Sequence, residues 1–153
     1  NPGDGESVHL RTYPDVPVAW RDDALAAKWA KVRRVRRVVL GALEIERAEK
    51  RIGSSLQAAP AVYLDADHRG ALDGIDLAEV SITSGIRFAD GDAPADAFRI
   101  EDVPGVAVVP ETADGGKCER CWQVLPDVGS NAEHPDICNR CADAVEHFPA
   151  AAE

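Results

Sequence analysis

Cys118-Glu119-Arg120-Cys121 and Cys138-Asn139-Arg140-Cys141 stand in the last quarter of this 153-residue chain. Two residues between thiols let each pair fold into a tight knuckle with both sulfurs pointing the same way. Two knuckles facing each other complete a tetrahedron with metal–sulfur distances of about 2.3 Å. Four soft ligands suit Zn²⁺ and leave no open position for water, so the expected ion is structural, one Zn²⁺ per chain. Other uses of four thiols fit less well. Paired disulfides belong to secreted chains, and no signal peptide is seen. A redox Cys-x-x-Cys usually comes alone beside a βαβ pattern. Rubredoxin-type iron often has Gly after the second Cys, where this chain has Trp122 and Ala142. Iron is the alternative occupant of such a four-thiolate site.

The chain is acidic, with 17 basic and 27 acidic residues and a net charge of −10. Such a balance is a poor default for nucleic-acid binding. No apolar run approaches the ~18 residues of a membrane span, so no membrane partner is expected. Methionine is absent and the chain starts Asn1-Pro2-Gly3-Asp4, which leads to the expectation of a piece of a longer protein.

Working outward from the cysteines, the fold class reads as α+β. Residues 1–21 carry Pro2, Gly3, Gly5, Pro14 and Pro17 and read as a loop with a short extended piece at Ser7–Leu10. From the acidic pair Asp22-Asp23, Leu25, Trp29, Val32, Val35, Val39 and Leu43 recur at three- and four-residue steps. This predicts a helix over 22–51, about 45 Å long, stopped near Ile52-Gly53 with Gly53 as left-handed cap. A helix of that length usually packs in a bundle. Residues 54–112 read as a small α+β unit with strands at Ala61–Leu64, Glu79–Ile82, Phe98–Glu101 and Val106–Val109, and a short helix or link over Ala71–Leu77. Gly115-Gly116 then leads into the cysteine module.

Positive charge is segregated. Lys28, Lys31, Arg33, Arg34, Arg36 and Arg37 put six cations into ten residues. Over 28–51 nine cations meet three carboxylates, +6, which leaves −16 for the rest. A basic helix face is either a solvated surface balanced elsewhere in the fold or a local attractor for a polyanion. Arg120 and Arg140, inside the knuckles, either offset the negative charge of a four-thiolate centre or reach outward to phosphate. Trp122 either pads the metal site, the preferred reading for a small module that needs apolar cover, or stacks on a base.

Several stretches together resemble one family. Lys117–Trp122, Asp127-Val128-Gly129, Glu133-His134-Pro135 and Ile137–Cys141 closely resemble the C-terminal zinc finger of bacterial isoleucyl-tRNA synthetases. Upstream, Lys28-Trp29 and Glu49-Lys50-Arg51-Ile52-Gly53-Ser54-Ser55-Leu56-Gln57-Ala58 resemble the end of that family's helical anticodon-binding domain. Thr83-Ser84-Gly85 and Asp92–Asp96 resemble its junction region. Gln123-Val124 departs from the family's more aromatic residues there.

The resemblance implies a division into 1–53, the end of the anticodon-binding domain; 54–114, a junction domain; 115–148, the zinc finger; and a tail at 149–153. It implies a cytoplasmic, monomeric class I aminoacyl-tRNA synthetase that joins isoleucine to its tRNA through an aminoacyl-adenylate. ATP belongs to a catalytic domain whose signatures are missing from these residues, as is the editing domain, so no residue of this chain is expected to be catalytic. The implied partners are an isoleucine-accepting tRNA and the remainder of the synthetase. The implied metal ligands are Cys118, Cys121, Cys138 and Cys141. The implied tRNA contacts are Lys28, Lys31, Arg33, Arg34, Arg36, Arg37, Arg120, Trp122 and Arg140. Two rivals share the cysteine spacing or the acidity: the zinc-finger tail of a formamidopyrimidine-type DNA glycosylase, and a zinc-stabilised protein-interaction module.

Overall fold

Asp22 starts the long helix. Its carboxylate accepts from the Leu25 N–H at 2.8 Å, and helix α1 runs Asp23–Ala48. The computed structural model describes residues 13–148, so the extended piece expected at Ser7–Leu10 lies outside them. Four valines within α1 give it only modest intrinsic helix propensity. Its stability comes from the stripe Val32, Val35, Val38, Val39, Ala42 and Leu43, all buried. Each fully buried Val or Leu side chain contributes about 1.5–3 kcal/mol relative to exposure. The first turns are more open, and Leu25 is 50% exposed.

The helix ends three residues earlier than predicted, and not at Gly53. The Arg51 N–H reaches the Glu46 carbonyl at 2.9 Å and the Lys50 N–H reaches Arg47 at 3.0 Å. That is a Schellman closure, with Lys50 in the left-handed conformation at φ 59°. Arg51 also grips the Glu46 carboxylate through two nitrogens, which draws the chain back on itself.

The stripe of α1 packs on a three-stranded sheet in the order β2-β1-β3 and on two short helices. Strand β1 (Ala61–Leu64) lies in the middle. It runs antiparallel to β3 (Val106–Val109), with Val62 opposite Val108, and parallel to β2 (Arg87–Ala89), with Val62 opposite Phe88. A parallel pair needs a crossover, here helices α2 (Ala66–Ala71) and α3 (Leu77–Ser81). Asp65 caps α2 by accepting from the His68 N–H at 2.8 Å.

The expected strand at Glu79–Ile82 is therefore wrong: its first three residues end α3. Asp76 accepts from the Ala78 and Glu79 N–H groups at 2.9 and 3.2 Å, and this cap outweighs the β-propensity of Val80 and Ile82. The expected strand at Phe98–Glu101 shrinks to one bridge, Phe98 with Val108. Arg99 folds back onto the carbonyls of Ala93, Pro94, Ala95 and Ala97, which diverts the chain from the sheet.

The C-terminal part is a ribbon of β4 (Gly116–Lys117) against β5 (Val124–Leu125), followed by helix α4 (Asn139–His147). Gly115 sits at φ 118°, and a Cβ there would collide with the Leu125 carbonyl, so glycine is required. The ribbon has its own small core of Cys118, Cys138 and Cys141 with Leu125, Val128 and Ile137, sharing no residue with the α1–sheet core. The fold class is α+β with a four-cysteine module, and among the described residues no helix is long and apolar enough to cross a membrane.

Candidate metal centre and the surface beside it

The ribbon brings all four sulfurs within 4.8 Å of one another. A tetrahedron with 2.3 Å metal–sulfur bonds has edges of about 3.8 Å. The Cys121 and Cys138 sulfurs are 3.9 Å apart, close to that edge. Cys118, Cys138 and Cys141 are buried and Cys121 is half-buried. N–H groups of Cys121 and Cys138 donate to the Cys118 sulfur at 3.5 and 3.4 Å, as a thiolate acceptor requires. Burial pushes the Cys138 thiol up to about 12. At Cys118 burial acts in the same direction, but the N–H groups of Cys121, Cys138 and Arg120 bring it down to about 6. Thiols bind a metal as thiolates, so a dication taken up here displaces protons from the cluster. The residues present fit Zn²⁺.

The two knuckles differ in their exits. After the second, the Ala142 N–H donates to the Cys138 carbonyl at 2.9 Å and the chain continues as α4. After the first, the Trp122 N–H donates to the Cys118 carbonyl at 2.8 Å, and Trp122 takes a left-handed φ of 66°. The indole does not pad the metal site, as the preferred reading of the sequence had it. Leu125, Val128 and Ile137 supply the cover, and Trp122 is 62% exposed.

Both knuckle arginines turn toward the sulfurs. The Arg120 Nη1 lies 3.8 Å from the Cys141 sulfur. Arg140 donates to Gln123 Oε1 at 3.3 Å, and the Cys121 sulfur beside it raises the guanidinium pKa.

On α1 the six cations divide. Lys28 donates to the Asp73 carbonyl at 2.8 Å, and Arg36 to the Val80 carbonyl at 2.8 Å. Lys31 pairs with Asp67 at 2.5 Å. Arg37 pairs with Asp102 at 2.6 Å and holds that carboxyl below its ordinary range. These four fasten α1 to the rest of the fold. Arg33 and Arg34 are exposed and have no hydrogen-bond or ion-pair partner among the described residues.

Ser84, quoted above only within the junction-like stretch Thr83-Ser84-Gly85 and given no role there, joins the two cores. The Ser84 hydroxyl donates to the Leu56 carbonyl at 2.5 Å and accepts from the Val124 N–H at 2.7 Å. Gln123 adds a 3.5 Å bond to the Thr83 carbonyl. Partners separated by 28 and 40 positions carry no local signal, so nothing in the sequence singled Ser84 out as a link. The bonds set the ribbon beside the Gly53–Gln57 turn, leaving a cleft of about 300 Å³ lined in part by Trp122, Lys117 and Leu56.

Comparison with known proteins covers both halves of this arrangement. Residues 115–144 match a family described as "Zinc finger found in FPG and IleRS". The chain is 51% identical over 148 residues to the isoleucine--tRNA ligase of Agrobacterium fabrum, across 96% of this chain and 15% of that protein. It is 54% identical over 145 residues to that of Brucella abortus, across 94% and 15%. It is 50% identical over 148 residues to that of Rhodopseudomonas palustris, across 94% and 15%. The chain thus spans about 15% of the length of the curated relatives it matches, and the similarity extends well beyond the zinc finger.

Proposed function

We propose, on the premise that this chain is similar along nearly its whole length to one segment of isoleucine--tRNA ligases, that it is a tRNA-facing segment of such an enzyme. The observation that carries the reading is an overall identity near 50% in alignments long enough to span α1, the sheet and the ribbon. A zinc finger shared with FPG would by itself leave a DNA-repair protein open; the upstream identity favours the ligase.

The whole enzyme, on this reading, joins isoleucine to its tRNA in the cytoplasm, acts as a monomer, and forms the adenylate from ATP in parts outside this chain. Cys118, Cys121, Cys138 and Cys141 hold one Zn²⁺. Bound there, the ion cross-links the two knuckles and does no chemistry, because four thiolates fill its coordination. Arg120 and Arg140 offset the charge of the centre. Trp122 and Lys117 face the RNA from the ribbon, and Arg33 and Arg34 meet phosphates from α1. Lys28, Lys31, Arg36 and Arg37 support that surface by holding α1 in place.

Phosphate contacts release counterions, so each lost contact lowers the slope of log K against log salt by about 0.7–0.9. Replacing Arg33 and Arg34 together with Ala lowers the slope by about 1.4–1.8. Replacing Lys31 and Arg37, whose cations are already paired with Asp67 and Asp102, lowers the slope less and costs at most about 1 kcal/mol per exposed pair. The deciding experiment removes residues 115–153 from the whole ligase and measures both half-reactions. Adenylate formation survives and tRNA charging falls; loss of adenylate formation, or undiminished charging, overturns the assignment.

A further inference from the structure

We infer that Cys121 is an oxidation site: a hydroperoxide oxidises its sulfur, which then closes a disulfide with Cys138 and opens the metal centre. The inference rests on the zinc reading above, not on the RNA reading, and adds a reaction to one of the four ligands.

Three observations carry it. The first is access. Cys118, Cys138 and Cys141 are at most 1% exposed, whereas Cys121 is half-buried. The second knuckle continues into α4, which holds Cys141 in its first turn. The first knuckle leaves through Trp122, itself exposed, so no helix follows Cys121. The Cys118 sulfur is further engaged as acceptor of the Cys121 and Cys138 N–H groups at 3.5 and 3.4 Å, which draws on the lone pairs a nucleophile needs. Oxidation of thiolates follows exposure, and exposure singles out Cys121.

The second is a donor at the attacked sulfur. The Arg140 guanidinium lies beside the Cys121 sulfur and donates at 3.3 Å to Gln123 Oε1, which is itself 3.6 Å from that sulfur. Attack on a peroxide O–O bond expels an oxyanion, and a guanidinium already in place stabilises that charge as it develops.

The third is a partner within reach. The Cys121 and Cys138 sulfurs face each other across the two knuckles at 3.9 Å, and the chain has no cysteine outside this cluster. The reaction balances in two steps. The Cys121 thiolate takes the terminal oxygen of the hydroperoxide; the S–O bond forms, the O–O bond breaks, and a sulfenic acid and an alkoxide (hydroxide, from hydrogen peroxide) result. The Cys138 thiolate then attacks the Cys121 sulfur; the S–S bond forms, the S–O bond breaks, and hydroxide leaves. Solvent protons neutralise both oxyanions. The two sulfurs are oxidised and the peroxide is reduced. Cys118 and Cys141 are then the remaining thiolates, half of the set that closes a structural zinc site. The change also reaches the larger core. Gln123 and Val124, just beyond Cys121, carry the bonds to Thr83 and Ser84, so drawing Cys121 onto Cys138 loosens the seat of the ribbon.

The test uses the unaltered chain loaded with zinc, so no variant has to fold. Elemental analysis comes first and reads one zinc per chain. A limiting dose of iodoacetamide then labels Cys121 ahead of the other three cysteines. In a separate sample hydrogen peroxide releases the zinc, followed with a chromophoric chelator, and two thiols disappear for each zinc released. Trypsin cuts after Arg120 and Arg140, so the peptide Cys121–Arg140 holds both partners and emerges two hydrogens lighter, with its disulfide internal. Dithiothreitol with added Zn²⁺ restores one zinc per chain. Labelling first at another cysteine, a disulfide joining two tryptic peptides in its place, or zinc retained under excess peroxide overturns the site. Less than one zinc per chain at the outset overturns the zinc reading and the site with it, whereas full zinc followed by any of those results overturns the site alone.

Discussion

Taking the metal away unfolds the ribbon and leaves the α1–sheet core standing. The perturbation is Cys138→Ala, or exhaustive chelation of the unaltered chain. The ribbon's apolar cover is three partly buried side chains, Leu125, Val128 and Ile137. At about 1.5–3 kcal/mol for complete burial, they contribute less than about 9 kcal/mol together. Zinc modules draw about 10–16 kcal/mol of apparent binding energy from their metal at neutral pH, so the ion stabilises the ribbon more than its side chains do. The α1–sheet cluster shares no residue with the ribbon cluster and buries Val35, Val38, Leu43, Val62 and Val108 in a core of its own. Amide NMR spectra recorded with and without chelator read both parts in one sample. Resonances from 115–148 collapse toward random-coil positions, while those of Leu43, Val62 and Val108 stay dispersed. Dispersed ribbon resonances in metal-free protein would refute the reasoning, and collapse of both sets would show that the ribbon also supports the larger core.

Four further outcomes follow from single side chains. Ser84→Ala strands the Leu56 carbonyl and the Val124 N–H, costs about 1–3 kcal/mol, and shows as faster hydrogen exchange at Val124 with zinc content unchanged. Ile82 closes α3 at φ 57° while exposed, so Ile82→Gly relieves a left-handed β-branched residue and raises stability by about 1 kcal/mol in urea unfolding. Leu43→Ala leaves a void under the sheet and costs about 2–5 kcal/mol by the same measurement. The His68 N–H and ring hold the Asp65 carboxyl below its ordinary range, so its stabilisation is present above the unfolded value near 3.9 and disappears as pH falls through the lower folded value. Asp65→Asn therefore narrows its stability gap from the parent chain as urea midpoints are followed from about pH 5 to about pH 2, and a gap that stays constant contradicts this.

What the sequence determined by itself is whatever is written within a few neighbouring residues. The spacing of Cys118, Cys121, Cys138 and Cys141 specified a four-sulfur cluster, because a knuckle is a local turn and a chelate needs little beyond two of them. The valine stripe and Asp22 specified α1 by periodicity and cap, and β1 and β3 followed from short branched runs. The same local logic, applied more closely, would have found α3 from Asp76. Tertiary structure alone decided the uses of the charges and of the exposed ring. Nothing near Lys31 or Arg37 in the chain announces Asp67 or Asp102, which arrive from 36 and 65 positions away and pair with them on the folded surface. Trp122 is displayed because Leu125, Val128 and Ile137 fill the ribbon first, a competition for volume that only the folded packing settles. Ser84 becomes the joint between the two cores because a single hydroxyl can serve a carbonyl and an N–H at once when the fold brings them to it.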